Sequence, residues 1–363
     1  KHASNLLDEK RFQAKGLLII GLLLLVLLLL TWILQAFNID LQVARWAYSK
    51  KEGWPLGQEQ PWSWIHRYGT IPGFLLTLLS IPLWFVCRRK KRFYIWRKYI
   101  LIYGLASIIG AGIIVNAMLK EHSGRPRPRE VLEFGGNWEF RNALDFGIPG
   151  KGRSFPCGHC TMGFSFSLGI VFWQRSRLLA SGMFIFGLAY GTLVSIARVF
   201  QGAHFVSDAL WALGLLWLTL SILYYFVLKP PLTEKQAFTP MQRVQHMRLI
   251  AGIVTTMLLL TALYVTRRPF YQDYRQTFSL SQNTNALIIQ TNLGPDIQID
   301  LAHDDQGHLF LEGRGFALPD SGFRINFRLQ IKDGKQILFL EQKRNGYFAE
   351  LENRVNLRLP KEL

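Results

Sequence analysis

Over the first two thirds of the chain apolar residues come in long runs, and from residue 270 onward they alternate with polar ones. A bilayer-spanning helix needs about 20 mostly apolar residues. Residues 17–37 (LLIIGLLLLVLLLLTWILQAF) meet that requirement alone. Further spans are expected at 69–87, 99–119, 178–199, 205–228 and 249–266, and a shorter run at 158–173 completes seven. The first run is too long for a signal-peptide core and no small-x-small cleavage site follows it, so it is expected to stay as an anchor. The chain opens on Lys1, so its numbering is expected to start inside a longer protein.

The later pattern has period two, which is the signature of half-buried strands. It covers residues 277–281, 286–291, 297–301, 308–312, 323–332 and 336–342, with Phe323, Ile325, Phe327, Leu329 and Ile331 on one face. Asn292–Pro295, Asp304–Gly307, Asp333-Gly334 and Asn345-Gly346 supply turns. The expected fold class is therefore mostly α. A polytopic helical membrane domain (residues 1–268) precedes a small all-β extramembrane domain (270–363), a sandwich or barrel.

Charge refines this picture. The net charge is +18, which in a soluble protein would point to nucleic acid. Yet residues 269–363 hold 11 Lys+Arg against 12 Asp+Glu, so the whole excess sits beside the apolar runs. That is where a membrane protein keeps its cytoplasmic charge, and nucleic acid is not an expected partner. Three cysteines among 363 residues exclude a disulfide scaffold. The densest basic run, RRKKRFYIWRK at 88–98, goes inside. Alternation then places the N-terminus, 174–177 and 229–248 inside as well. Residues 38–68, 120–157, 199–204 and everything after Thr266 fall outside. The segment 38–68, with Trp46, Trp54, Trp62 and Trp64, reads as an interfacial anchor, with a grip on lipid substrate as the alternative.

Three outer segments hold polar residues that a membrane bundle does not need. They are Lys120 through Arg127-Pro128, Pro156-Cys157-Gly158-His159, and Arg198 through His204 and Asp208. Lys120, Arg127 and Arg198 are clustered cations that call for an anion, and arginine matches phosphate with a two-pronged fork. Gly158 and His159 open a helix, whose free N–H groups favour negative charge. His204 and Asp208, four apart at the start of the sixth span, are expected on one helical face. The carboxylate would orient one imidazole nitrogen and leave the other as a nucleophile. His159 is a second imidazole that could act as the acid. Arg125 is assigned to the pocket rim or to lipid headgroups.

Together the segments resemble the type-2 phosphatidic acid phosphatase superfamily, whose pattern runs K-x6-R-P, P-S-G-H, S-R-x5-H-x3-D. The match spans roughly residues 100–230. The resemblance implies that His204 forms a phosphohistidine, Asp208 orients it, and His159 protonates the leaving group. It implies that Lys120, Arg127, Arg198 and the Gly158 N–H hold the phosphoryl oxygens, with no metal and no cofactor. Two positions depart from the pattern: Cys157 and Ala197 stand where the family has serine. A thiol is a weak donor, so Cys157 is only a possible phosphate ligand through its retained N–H. Cys157 through Cys160 also reads CGHC, a dithiol motif, but no βαβ pattern surrounds it. Oxidation of this pair is expected to be able to distort the site.

The expected function is hydrolysis of a phosphomonoester or pyrophosphate on an outer-leaflet lipid. Undecaprenyl pyrophosphate, phosphatidylglycerol phosphate and lipid A phosphates are the substrate types that the resemblance implies. The expected location is a bacterial inner membrane with site and β domain periplasmic, and docking to a periplasmic partner or gating of lipid entry are the readings of the β domain. The long outer insertion 129–155 is expected to cap the pocket. A lipid-to-lipid phosphotransferase, or a transporter or binding module, are the alternatives.

Overall fold

The computed structural model describes residues 2–233, residues 268–360 apart from 281–286, 293–296, 303–305 and 333–334, and the isolated positions 247, 252, 255 and 262. The chain divides into two compact units, Lys1–Ile148 with Gly152–Ala251, and Pro149–Lys151 with Gly252–Leu363.

The first unit is helical. Helix α1 (His2–Ala36) is followed by α2 (Ile39–Ala47), α3 (Trp62–Tyr68), α4 (Ile71–Arg89) and α5 (Arg97–Ser107). Helix α5 continues through a π-helical stretch, Ile108–Leu119, into α6 (Lys120–His122). Helix α7 (Gly158–Phe164) runs on as a 3₁₀ stretch, Ser165–Gln174; α8 (Arg177–Phe200), α9 (Val206–Ile222) and α10 (Pro230–Thr233) complete the unit. Among the described residues five stretches are long and apolar enough to cross a membrane: Leu7–Ala36, Trp62–Arg89, Lys91–His122, Arg177–Phe200 and Val206–Leu232. They coincide with five of the expected spans. The expected run 158–173 is helical, but its 7 α-helical and 10 tighter residues fall short of that length. The expected span 249–266 lies outside the described residues, apart from three isolated positions.

Leucines such as Leu17, Leu18, Leu22 and Leu25 on α1 are exposed, the pattern of a helix whose solvent is lipid. The core of the unit lies elsewhere. Tyr99, Ile102, Ala106 and Ala111 pack with Leu168, Ala180, Ala212 and Leu216 from the 3₁₀ stretch, α8 and α9. Where apolar burial gives little net drive, helices approach through small residues. Gly163 of α7 is so close to α8 that a Cβ there would lie 2.9 Å from Gly191 Cα.

The two ends of these helices differ. At one end Arg175 lies over the Tyr99 ring, and Lys98 donates to the Leu228 carbonyl. This end gathers the basic loops. Lys120, His159, Arg198 and His204 come from the opposite ends of α5–α6, α7, α8 and α9.

The second unit is a sandwich. One sheet has the order β1-β4-β7-β3 and the other β2-β6-β5. The strands are β1 (Pro269–Phe278), β2 (Leu287–Thr291), β3 (Ile297–Ala302), β4 (Gly307–Ala317), β5 (Gly322–Lys332), β6 (Lys335–Asn345) and β7 (Phe348–Pro360). The β2–β6 and β3–β7 pairs are parallel and the others antiparallel. Leu309, Leu311, Val355 and Leu357 face Phe323, Leu338 and Leu340 across the core. Two expectations change. The first strand covers 269–278 and not 277–281, and β7 was not expected at all. Its alternation is broken by Asn353, whose amide exchanges two hydrogen bonds with Gln342 (2.9 and 3.1 Å).

Candidate active site

The three polar segments converge at one end of the helical unit. His204 and Asp208 meet, with Nδ1 and Oδ2 3.4 Å apart and both residues buried. The cause is not the one expected. His204 lies before α9 and not on it, so the two do not share a helical face. Asp208 is the third residue of the helix, and its Oδ2 accepts from the Phe205 N–H at 2.8 Å, capping the helix start. That cap brings the carboxylate back under the His204 ring. Ser154 Oγ donates to the same oxygen at 2.5 Å.

Arg125 is neither at a pocket rim nor against headgroups. It is fully buried, and its guanidinium spans two carboxylates, with Nη1 on Asp208 Oδ1 (2.5 Å) and Nη2 on Asp40 Oδ2 (2.8 Å). Its Nε donates to the Arg141 carbonyl, and Nη1 also reaches Ser207 Oγ. Burial opposes the charge, but Asp208 and Asp40 together outweigh it and raise the pKa. Arg125 is therefore committed to protein and not available to phosphate. Asp40, on α2, also accepts from the Ser207 N–H and Oγ.

Lys120, Arg127 and Arg198 are in the opposite condition. Among the described residues no carboxylate lies within 4.0 Å of Lys120 or Arg198, and Arg127 only reaches Glu130 at 4.0 Å. The Nε atoms of Arg127 and Arg198 are buried without a hydrogen-bond partner among the described residues. Burial lowers the pKa of Arg127, with Arg129 and Arg153 adding to the effect and Glu130 opposing it. Unpaired buried donors and mutual repulsion are both relieved by one anion.

Helix α7 supplies His159, half-buried and within electrostatic range of Arg198, His204 and Lys120. Gly158 sits where the chain passes Asn116, and a Cβ there would fall 2.2 Å from Asn116 Oδ1. Cys157 departs from its expected part. Its sulfur is bonded to Cys160 and accepts from the Cys160 N–H, and its own N–H donates to the Asp208 carbonyl. It offers phosphate neither a thiol nor an amide. In this structure the disulfide stands together with the His204–Asp208 pair.

Burial holds the His204 pKa at about 4, with Asp208 opposing and Arg198 and Lys120 assisting. The ring is thus neutral near pH 7. With Nδ1 turned to Asp208, Nε2 keeps its lone pair. No group of three or more His, Cys, Asp or Glu able to hold a metal occurs among the described residues.

Residues 99–230 match the model of the PAP2 superfamily. Over that segment the chain is similar to the superfamily's members. It is 29% identical over 181 residues to a lipid A 4'-phosphatase of Francisella tularensis subsp. novicida (strain U112), covering 48% of this chain and 79% of that protein. It is 35% identical over 133 residues to a lipid A 4'-phosphatase of Rhizobium leguminosarum, covering 36% of this chain and 52% of that one. A crystal structure of a transmembrane PAP2-type phosphatidylglycerolphosphate phosphatase from Bacillus subtilis aligns over 61% of this chain and 98% of its own, at 21% identity and a TM-score of 0.32.

The PAP2 segment contains every residue singled out in the sequence, yet several that complete the site were missed. Asp40 and His66 lie before it, in a stretch read as an aromatic anchor or a grip on lipid. Ser154 lies in the insertion read as a cap. Nothing in the sequence set Asp40 apart from Glu52 and Glu59, the other acids of its segment. Nothing local marked Ser154.

Proposed function

We propose that this protein is an integral-membrane lipid phosphatase that removes a phosphate from a lipid A-type glycolipid in the outer leaflet of a bacterial inner membrane. One observation carries the proposal: Arg127 and Arg198 each bury an Nε without a hydrogen-bond partner among the described residues, and Arg198 lies within electrostatic range of the neutral, carboxylate-oriented His204. Two relatives named lipid A 4'-phosphatase support the substrate class. The Cys157–Cys160 disulfide beside the site fits an oxidising compartment and hence the periplasmic face. The Lys/Arg-rich loops at the opposite helix ends fit the cytoplasmic face.

In the proposed reaction Arg127, Arg198, Lys120 and the Gly158 N–H take the phosphoryl oxygens. His204 Nε2 forms a bond to phosphorus as the P–O ester bond breaks. Burial and Arg198 lower the His159 pKa to about 3, and the negative charge of the bound phosphate offsets them, so that His159 takes up a proton with the substrate and gives it to the departing sugar oxygen. Negative charge spread over the equatorial oxygens in the transition state meets fixed cations that need no reorganisation. Asp208 stabilises the positive charge that develops on His204. Water then attacks phosphorus, His159 takes its proton, the P–N bond breaks and inorganic phosphate leaves. Arg125 and Asp40 serve by holding Asp208 in place.

The test is phosphate release by the purified full chain in detergent micelles, on lipid A, phosphatidylglycerol phosphate and undecaprenyl pyrophosphate in parallel. Release from lipid A by the wild type and none by His204→Ala is the expected result. Equal release by both proteins removes the mechanism, and preference for either other lipid removes the substrate assignment.

A further inference from the structure

His66 on α3 is a third imidazole at the site. We propose that His66 is a positioning residue for phosphate transfer, aiming the free edge of Arg198 and bracing the ring of His159. The proposal rests on the reading of the phosphate site given above.

Its first support is the hydrogen bonding of Arg198. Nη1 donates to His66 Nδ1 at 2.5 Å and to Gln201 Oε1 at 2.6 Å. A guanidinium has no lone pair to offer and stays charged, so Nδ1 is the acceptor in this contact. His66 is thus a neutral imidazole with its proton on Nε2. Both hydrogens of Nη1 are then committed to protein. The neighbouring edge, Nε with one hydrogen of Nη2, is the pair that can grip two phosphoryl oxygens, and Nε is buried without a partner among the described residues. His66 and Gln201 thereby select which edge faces the anion.

The second support is the ring contact. His66 and His159 stack with centroids 5.4 Å apart and planes 30° from parallel. A neutral ring against His159 limits its rotation and presents a π face to it when it carries a proton. Helix α3 itself is fixed on α8 at two points. Trp62 meets Phe200 edge-on at 4.9 Å, and Tyr190 donates to the Gly69 carbonyl at 2.9 Å. The imidazole is therefore held from a docked helix and not from a loose loop.

Two substitutions separate the two supports. His66→Phe keeps a ring for the stack and removes the acceptor. His66→Asn keeps an acceptor near the Nδ1 position and removes the ring. Affinity for inorganic phosphate and steady-state kinetics on the best lipid substrate are measured on the full chain in micelles, per folded protein. His66→Phe is expected to weaken phosphate binding and raise KM by roughly tenfold, as loss of a charge-assisted bond does. His66→Asn is expected to keep phosphate affinity near the wild type and to lower kcat by roughly tenfold. If His204→Ala abolishes turnover but both His66 variants match the wild type, the His66 proposal is wrong and the site reading stands. If both variants lose affinity and kcat alike, His66 is only structural and the proposal also fails. If His204→Ala turns over normally, the site reading fails and takes this proposal with it.

Discussion

Arg125 and Arg127 stand two residues apart in one irregular segment, and both are arginines of the first polar motif, yet their electrostatic surroundings are opposite. Arg125 bridges Asp208 and Asp40 with four of its donors' contacts accounted for, and it is fully buried. Arg127 has a buried, unpartnered Nε and one distant carboxylate. The first is a closed network whose charges cancel within the protein. The second belongs to an open cluster that is complete only with an anion. A buried charge that is paired holds structure, and one that is unpaired waits for a ligand.

The largest effect expected is at the nucleophile. His204→Ala should lower kcat by on the order of 10⁴-fold or more, read as initial phosphate release. This breaks the comparison at its root if it does not happen, because the open cluster then serves no chemistry at His204. Next, Arg127→Met should cost roughly 10²- to 10³-fold in kcat/KM, as loss of a donor to transition-state charge does. Its thermal midpoint in micelles should stay level or rise, since an uncompensated buried cation has gone. Arg125→Leu should show the reverse pattern. Two carboxylates are left buried and unpaired, at a cost of about 3–5 kcal/mol in stability, read by thermal unfolding. Equal behaviour of the two variants would erase the distinction drawn here.

A smaller and more graded effect is expected from pH. The pKa of His204 is held near 4 in the folded protein, below an ordinary value of 6.5. Folding therefore favours its neutral form. The stability contributed by this preference is present above pH 6.5 and is lost as pH falls from 6.5 toward 4, because the unfolded chain takes up the proton first. The acid limb of kcat/KM should likewise lie near pH 4 and not 6.5 when His204 is the group observed. Replacing His204 with Gln should remove this acid sensitivity of stability. Smallest is a change in the β unit: Asn353→Leu should cost about 1–3 kcal/mol by leaving the Gln342 amide without its partner. It should leave turnover unchanged.

Periodicity and motif spacing located most of the molecule before any coordinates. The five long apolar helices among the described residues and the change to strands near residue 270 were legible in the chain, as were Lys120, Arg127, His159, Arg198, His204 and Asp208, the residues proposed here as the site. Apolar runs report on solvent, which acts on each segment separately, and so they need no partner to be read. The strand β7 escaped because Asn353 interrupts its alternation, and only the facing Gln342 explains that interruption.

What tertiary structure decided were pairings between distant segments. Arg125 could be read as a ligand or a surface charge until Asp40, 85 positions away, was seen against it. His66 looked like part of an aromatic belt until Arg198, 132 positions on, donated to it. Even the His204–Asp208 contact, guessed from a spacing of four, arises from a helix cap and not from a shared helical face. Hydrogen bonds and ion pairs depend on distance and angle between atoms, not on separation along the chain. The sequence therefore names the polar groups, and folding alone determines which of them are spent on one another and which remain for the anion proposed here.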